Sequence, residues 1–584
     1  MITRKNISKY FDLEADAAYD NWHAMMSLPV RDRIHKRIAI DNVFLDEDYR
    51  KTSDNGYDLI KVRAVTNLSD FKEGDPLVLH DKDSFNEIEC TLVKFEGDTG
   101  IILEVFPLNM PEDIGVFYGT PLVLDKALVD LRDNVYDPFL DSLPDAQDRY
   151  WRKMILNTKP RPAFKNIDDC AEQLQDTIKR LKVKLLPQQE KAIISSMAAK
   201  DYCLIQGPPG TGKSFVLALI IIEEIVYFNH NVIVVGPNHM AINNVLGQLL
   251  KMVPRIQEFM IKVGQPYNAP QITVMRKGEK YRIDNVPYLD VSKANNADDA
   301  WVIGMTPHSL YTRRARGLEC DTLIIDEAGQ MTIPLALMGM IKANKVILAG
   351  DHKQLPPIIT ADKVDDELKQ SVFQALITKD NCTMLDVSFR MCEPICKYVS
   401  DLFYDSKVKP YKKGCGDLIV CDDPLYDFET PIVIHHVADY GLQTSDKEAS
   451  FIADTIAGFI DKGLPADEIA VLSPFRAQAA NIRRHIRRHP VFTVRERNLI
   501  VADTIDKMQG QEREVIIYSL VSGDLKYMRE MADFLYNPNK MNVAFSRAKS
   551  KLIIVGNLNQ IRRISESDYP HLHRMLKSKY IEYV

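Results

Sequence analysis

Eight consecutive residues, Gly207-Pro208-Pro209-Gly210-Thr211-Gly212-Lys213-Ser214, have the types and order of a phosphate cradle. Glycines let such a loop curl until its backbone N–H groups converge on phosphate oxygens. A helix starting where the loop ends adds partial positive charge. Lys213 is then in reach of the β- and γ-phosphates, and the Ser214 hydroxyl is a hard oxygen ligand for Mg²⁺. A chance glycine-rich turn is the plain alternative. The flanks oppose it, because Tyr202–Gln206 reads as a strand and Ser214–Phe228 as a helix, the context this motif needs.

A second pair completes the chemistry. Asp326 and Glu327 follow the apolar run Leu323-Ile324-Ile325, at the end of a strand of buried type. Ligands of open α/β sheets bind at that end. Asp326 can hold Mg²⁺, through water, and Glu327 can orient and deprotonate an attacking water. Two acids after a strand can also merely cap a helix. Downstream of a phosphate cradle they point instead to hydrolysis of ATP, or at least of a nucleoside triphosphate, with Mg²⁺.

The elements that must position these groups alternate strand and helix. YCLIQ, NVIVV, AWVIG, TLIIDE and KVILAG form one set of short β-branched runs, and EIAVLS, NLIVAD, EVIIYSL and KLIIVG a second. Apolar strands alternating with helices imply two parallel sheets, each covered on both faces. Residues 7–38 and 126–200 read as helical, while 40–125 shows short alternating stretches separated by turn residues, the pattern of a small antiparallel barrel. The expected division is a helical segment at 1–40, a small β-barrel at 41–125, a first α/β domain with stalk helices at 126–370 and a second at 371–584, with 357–380 as the bridge between the two sheets.

Composition agrees with several soluble domains. The chain has 584 residues, 46% hydrophobic and 27% charged, and length alone suggests about three to four domains. The net charge of −7 is unevenly spread: residues 471–584 hold 20 Lys and Arg against 11 Asp and Glu. A basic final fifth hints at a polyanionic partner. No apolar run is long enough to span a membrane and the N-terminus has no apolar signal core. Nine cysteines in so long a chain do not make a disulfide framework. A cytoplasmic location is expected. Cys382, Cys392, Cys396, Cys415 and Cys421 contain no CxxC pair and read as structural thiols rather than metal ligands.

Further motifs follow in order. Gly350-Asp351-His352-Lys353-Gln354-Leu355-Pro356-Pro357 succeeds a strand; Asp386-Val387-Ser388-Phe389-Arg390-Met391 comes next; Thr504-Ile505-Asp506-Lys507-Met508-Gln509-Gly510-Gln511-Glu512 precedes a strand, as does Asn542-Val543-Ala544-Phe545-Ser546-Arg547-Ala548-Lys549. Taken with GPPGTGKS and DEAGQ, the set resembles superfamily 1B helicases, the branch containing the nonsense-mediated-decay and immunoglobulin-mu-binding helicases. The resemblance covers roughly 180–560. It implies two tandem RecA-like P-loop domains preceded by a small barrel and helical stalk, and an ATP-dependent motor moving 5′→3′ along single-stranded nucleic acid. DNA is slightly favoured, since the sequence lacks the zinc-binding or low-complexity flanks of many RNA-acting relatives. An RNA helicase of the same branch and an ATP-gated nucleic-acid clamp remain alternatives.

The resemblance also assigns roles. Arg390 and Arg547 match the two arginines that the second domain lends to the departing phosphate, Gln354 the γ-phosphate sensor, Gln189 the glutamine reading the adenine edge, and Glu512 the acid meeting the ribose. Phe389 stands where the family stacks an aromatic on the base. Leu186 replaces the usual Asn, and Ser388-Phe389-Arg390 replaces Gln-Tyr-Arg. Strand contacts would come from Pro237, Asn238, Thr306, Pro474, Phe475 and Thr504, in loops suited to sequence-blind phosphate and sugar contacts. Arg483, Arg484, Arg487 and Arg488 make an i, i+4 basic face: a solvated surface in the ordinary reading, a strand- or duplex-contacting patch in the other. Arg313, Arg314 and Arg316 raise the same question.

Overall fold

In the computed structural model, the described residues are 2–584 except 54–56, 68, 72–73, 82–86, 98, 106–108, 112–113, 144–161, 263–270, 275–299, 313–314, 316, 379–380, 416–418, 509, 522, 565 and 567. Arg313, Arg314 and Arg316 therefore lie outside them. Six antiparallel strands close into a barrel in the order β1-β2-β5-β4-β3-β6: β1 (Ala39–Thr52), β2 (Asp58–Ala64), β3 (Pro76–His80), β4 (Glu87–Glu96), β5 (Gly100–Val105) and β6 (Leu122–Lys126). Alternation builds it. Ile60, Val62 and Ala64 of β2 are buried while Arg63 between them is exposed. Closure leaves no free edge.

The barrel is tied to its neighbours by a buried ion pair. Arg33, on the short helix Val30–His35, donates from Nε and Nη2 to the two carboxylate oxygens of Asp125 at 3.0 and 2.7 Å. Asp125 is fully buried in β6 and also meets His80 Nε2 at 2.9 Å. Arg33 Nη1 donates to Met26 O and Leu28 O, both at 2.8 Å, at the end of the helix Arg4–Met26. That helix is not a separate unit. Ile7, Tyr10 and Phe11 enter the core beneath the first parallel sheet, so it struts the barrel against that sheet.

The first sheet has the order β13-β7-β12-β11-β8-β10-β9, all parallel: β7 (Tyr202–Gln206), β8 (Val232–Val235), β9 (Gln271–Val274), β10 (Trp301–Met305), β11 (Cys320–Ile325), β12 (Ala343–Gly350) and β13 (Cys382–Met384). Tyr202, Leu204, Leu323 and Ile325 face one core; Cys203, Ile205, Ile324 and Ile347 face the other. The boundary expected at 370 is displaced. Val372, Phe373 and Leu376 belong to the first core, and β13 pairs with β7, so 357–380 is packed domain rather than bridge. Three residues were too short a run to announce that strand.

After a two-residue parallel ladder between β14 (Val387–Ser388) and β15 (Lys409–Pro410), the second sheet has the order β18-β17-β19-β20-β16-β21, again all parallel: β16 (Ile432–His436), β17 (Ile469–Ser473), β18 (Val501–Thr504), β19 (Arg513–Ser519), β20 (Ala548–Gly556) and β21 (Glu582–Tyr583). One thiol expectation is corrected. Cys392 and Cys415 form a disulfide, because the loop after β15 returns to the N-cap of the helix Glu393–Phe403 and brings their Cα atoms to 4.8 Å. The other seven cysteines are free.

Replacing Arg33 by Ala removes the guanidinium from the buried Asp125 and leaves it His80 as its remaining side-chain partner among the described residues. We expect a loss of about 3–5 kcal/mol, read by amide exchange of the barrel strands in urea. A loss under about 0.5 kcal/mol, the scale of ordinary surface substitutions, would mean that the pair does not hold the barrel.

Candidate active site

The cradle runs between β7 and the helix Lys213–Val226, with Gly210 and Gly212 at φ of 73° and 81°. These are left-handed angles that a side chain resists. Ser214 lies in the helix's first turn. Lys213 Nζ sits 3.1 Å from Asp326 Oδ1 and 2.7 Å from Glu327 Oε1, so cradle and paired acids meet as expected. Glu327 is itself left-handed, at φ 55°. Such strain costs of order 1–3 kcal/mol and persists only where the surroundings fix it. Here the Glu327 N–H donates to Asp326 Oδ1 at 2.9 Å, and Gln330 Nε2 donates to Glu327 Oε2 at 3.1 Å.

Environment separates the two acids. Burial raises Asp326 to about 6 against the pull of Lys213. Burial also acts on Glu327, but Lys213 outweighs it and holds Glu327 below the usual carboxylate range. Glu327 makes the shorter contact and its side chain is 25% exposed against 2% for Asp326, which accounts for the opposite directions. Burial opposes the Lys213 charge, yet the two carboxylates raise its pKa above the ordinary value.

The second lobe closes on this loop. Ser388 Oγ donates to Pro209 O at 2.9 Å and the Phe389 N–H to Gly210 O at 2.8 Å. Arg390 Nε donates to Glu512 Oε2 at 2.5 Å and its Nη1 to Ser546 O at 3.1 Å. Arg547, 3% exposed, reaches Gln354 Oε1 from Nη2 at 3.4 Å and Gln511 O from Nη1 at 3.3 Å, and its buried Nε has no partner among the described residues. Burial, then the charge of Arg390, pushes Arg547 down from its ordinary pKa, while Glu327 partly offsets them. Two crowded guanidinium groups thus border the cradle, with the Glu512 carboxylate hydrogen-bonded to Arg390.

A polar relay joins the lobes, and sequence reasoning gave most of it no role. Asp351 accepts from Gln206 Nε2 at 3.1 Å, Gln354 Nε2 at 2.9 Å and Tyr404 Oη at 2.5 Å. Asn542 Nδ2 donates to Tyr404 Oη and Lys353 O, both at 2.7 Å, and Asn539 Nδ2 to Gln354 O at 2.6 Å. Asp351 and Asn542 lie inside recognised motifs, which was a usable signal; Tyr404, just past the helix Glu393–Phe403, carried none.

Other expected residues have visible partners. Gln189 Oε1 accepts from the Leu186 N–H at 3.1 Å and its Nε2 donates to Thr211 O at 3.3 Å, so it braces the cradle in this state. Phe389 leans on Tyr411 with ring centroids 4.7 Å apart. Pro237, Asn238, Thr306, Pro474 and Thr504 all lie at carboxyl ends of strands. Asn238 is exposed while its Oδ1 accepts from the Ala241 N–H at 3.0 Å, and Thr306 Oγ1 meets Ser309 Oγ at 2.9 Å. Phe475 departs from expectation. It is 6% exposed and packs near Phe534 and Tyr527, so its ring serves the second core rather than a strand.

A nucleotide cradle on one parallel sheet, completed by cations from another, defines a two-lobed P-loop hydrolase. Two family models, each described as AAA domain, match residues 184–288 with 290–362 and residues 368–559, together more than half of the chain. The chain is 29% identical over 498 residues to DNA polymerase alpha-associated DNA helicase A of Schizosaccharomyces pombe, covering 73% of this chain and 71% of that one. It is 25% identical over 591 residues to an uncharacterized ATP-dependent helicase of Methanocaldococcus jannaschii (81% and 86%). It is 26% identical over 427 residues to Regulator of nonsense transcripts 1 of Dictyostelium discoideum, covering 64% of this chain but only 31% of that one. The chain belongs to the superfamily 1 helicases, with RecA-like domains, and is an ATP-dependent, nucleic-acid-binding enzyme. Among the described residues no helix is long and apolar enough to cross a membrane.

A Cβ on Gly210 would stand 2.5 Å from Arg390 Cβ, besides its unfavourable φ. Gly210→Ala should therefore push the lobes apart and lower ATP turnover by about 10²-fold, the scale of a 1 Å misplacement, with circular dichroism unchanged. Gly247→Ala, where nothing lies within 4 Å of the added carbon, should leave turnover intact.

Proposed function

We propose that this helicase moves 5′→3′ along single-stranded nucleic acid, preferring DNA, by closing and opening the cleft between its lobes. The observation that supports this most is the stitching of Ser388, Phe389 and Arg390 onto the loop that would hold the triphosphate. Whatever fills that loop acts on the position of the second lobe. A nucleotide whose γ-phosphate meets Arg390 and Arg547 favours closure, and its loss favours opening. The preference for DNA follows the DNA helicase named among the relatives, whereas the nonsense-transcript regulator favours the RNA reading.

In this reading Lys213 exchanges its two carboxylates for β- and γ-phosphate oxygens. Asp326 and the Ser214 hydroxyl are hard oxygen donors beside that lysine, a set that fits Mg²⁺, which when bound neutralises phosphate charge. Glu327, freed from Lys213, takes the proton of the attacking water. Gln354, held by Asp351 and touching Arg547, reports phosphate occupancy to the second lobe. Pro237, Asn238, Thr306, Pro474 and Thr504 hold the strand by its backbone, which suits stepping without sequence preference.

ATPase rates with single-stranded DNA, single-stranded RNA and neither, at one fixed salt concentration, test the substrate: DNA should stimulate most. Release of a strand from a 5′-tailed but not a 3′-tailed duplex tests polarity. Retention of both duplexes with nucleotide-dependent affinity would instead assign a clamp. Glu327→Gln should keep nucleotide binding and lose turnover; rapid hydrolysis by that variant would remove Glu327 as the base.

A further inference from the structure

Away from the nucleotide cleft, a cavity of about 760 Å³ opens between the root of the barrel and the second lobe. His35 and Arg37, with Asp70, form the barrel-side wall. The facing wall is the helix Arg476–Arg488, through Arg483, Arg484, Arg487 and Arg488, beside Asp503 of β18. Ile482 and Ile486 anchor this helix in the second core, at 0% and 2% exposure, which turns the arginines outward. They stand in two i, i+4 rows, so cations recur about every 6 Å along the axis.

The acids present do not balance them. Arg37 pairs with Asp70 at 3.1 Å, Arg483 lies 3.7 Å from Asp503, and Arg484 pairs with Asp446 at 3.1 Å. Arg487 and Arg488 are exposed, and among the described residues neither has a carboxylate partner. Cations are favoured near any helix C-terminus. That explains two arginines on one helix. It does not explain a cavity whose lining sets five arginines, Arg37 among them, against the two carboxylates of Asp70 and Asp503, where like charges repel.

We propose that this cavity holds the sugar–phosphate backbone of the nucleic-acid strand after it passes the strand-end loops, as a second phosphate-binding site outside the core track. The proposal rests on the strand-binding reading given above. Asp503 in its wall directly precedes Thr504, so a strand contacting Thr504 reaches the cavity without a detour. The contacts are to phosphate and carry no sequence preference. The lining belongs to the barrel side and to the second lobe, so a strand held there also spans two bodies that lobe movement would shift relative to one another.

The test measures binding of oligothymidylates of increasing length by the full chain, against salt, for the wild type and Arg487→Ala/Arg488→Ala. Both arginines are exposed, and the ATPase without a strand should be unchanged. Long strands should bind the variant more weakly, with a salt slope shallower by about 1.4, or about 0.7 for each lost single-strand contact. Short strands should bind both proteins equally, and Arg487→Lys/Arg488→Lys should restore long-strand binding, since lysine serves a phosphate as a point charge. Equal slopes at every length, or an equal loss at every length, would overturn a separate site. Inorganic pyrophosphate, titrated with the nucleotide cleft filled by a non-hydrolysable ATP analogue, checks the other source of phosphate: binding lost in the alanine variant without a change in strand slope would assign the cavity to a small anion and overturn the proposal. A wild type that binds no strand of any length would instead remove the helicase reading itself.

Discussion

A lysine clasped between two carboxylates on one lobe faces two guanidinium groups crowded together on the other. Lys213 satisfies Asp326 and Glu327 for as long as nothing else claims it. Arg390 has Glu512, but Arg547 is buried with an unpartnered Nε and a pKa lowered by burial and by Arg390. One cation therefore serves two carboxylates on one side of the cleft, while on the other Glu512 is bonded to Arg390 and Arg547 has no carboxylate bonded to it among the described residues. In the proposed mechanism a polyphosphate would compete with the carboxylates for Lys213 and give the arginines an anion. In a water-poor site such contacts are strong, because little solvent reorganises. The proposed coupling between nucleotide and lobe position rests on that imbalance.

The rest of the architecture keeps these groups in register. Parallel sheets place their loops at carboxyl ends of strands, so β7, β11 and β12 deliver the cradle, the acids and Gln354 to one edge. The relay through Asp351, Tyr404 and Asn542 keeps the Gln354 loop bonded to both lobes. Such a network couples a junction more than its separate bonds suggest, with Asn542 Oδ1 left without a partner among the described residues. The helix Arg4–Met26 and the Arg33–Asp125 pair fix the barrel to the first lobe, so lobe movement changes the distance from the barrel to the second sheet.

Local signals carried much of this. The cradle and Asp326-Glu327 were readable because each is a short contiguous motif whose flanks confirm it, and the barrel because alternation has a period of two. What failed to show depends on contacts between distant segments. β13 is three residues long and exists by pairing with β7. The Cys392–Cys415 bridge depends on a loop folding back, which spacing does not encode. Tyr404 reaches Asp351 across 53 positions with no motif to mark it. Phe475 was expected among the strand-contacting residues, yet packing near Phe534 claimed its ring. Gln189 illustrates a subtler gap: the residue stands where the motif puts it, but both ends of its amide are bonded within the protein.

Single-turnover ATP hydrolysis by Arg390→Ala and Arg547→Ala, each compared with its own nucleotide affinity, bears most directly on the central claim. The account requires each variant to bind ATP about as the wild type does and to hydrolyse it about 10³–10⁵-fold more slowly, the range for an arginine lent to a departing phosphoryl group. Hydrolysis within a few-fold of wild type in both would show that the second lobe lends nothing to the phosphate, and the coupled-cleft account would fail.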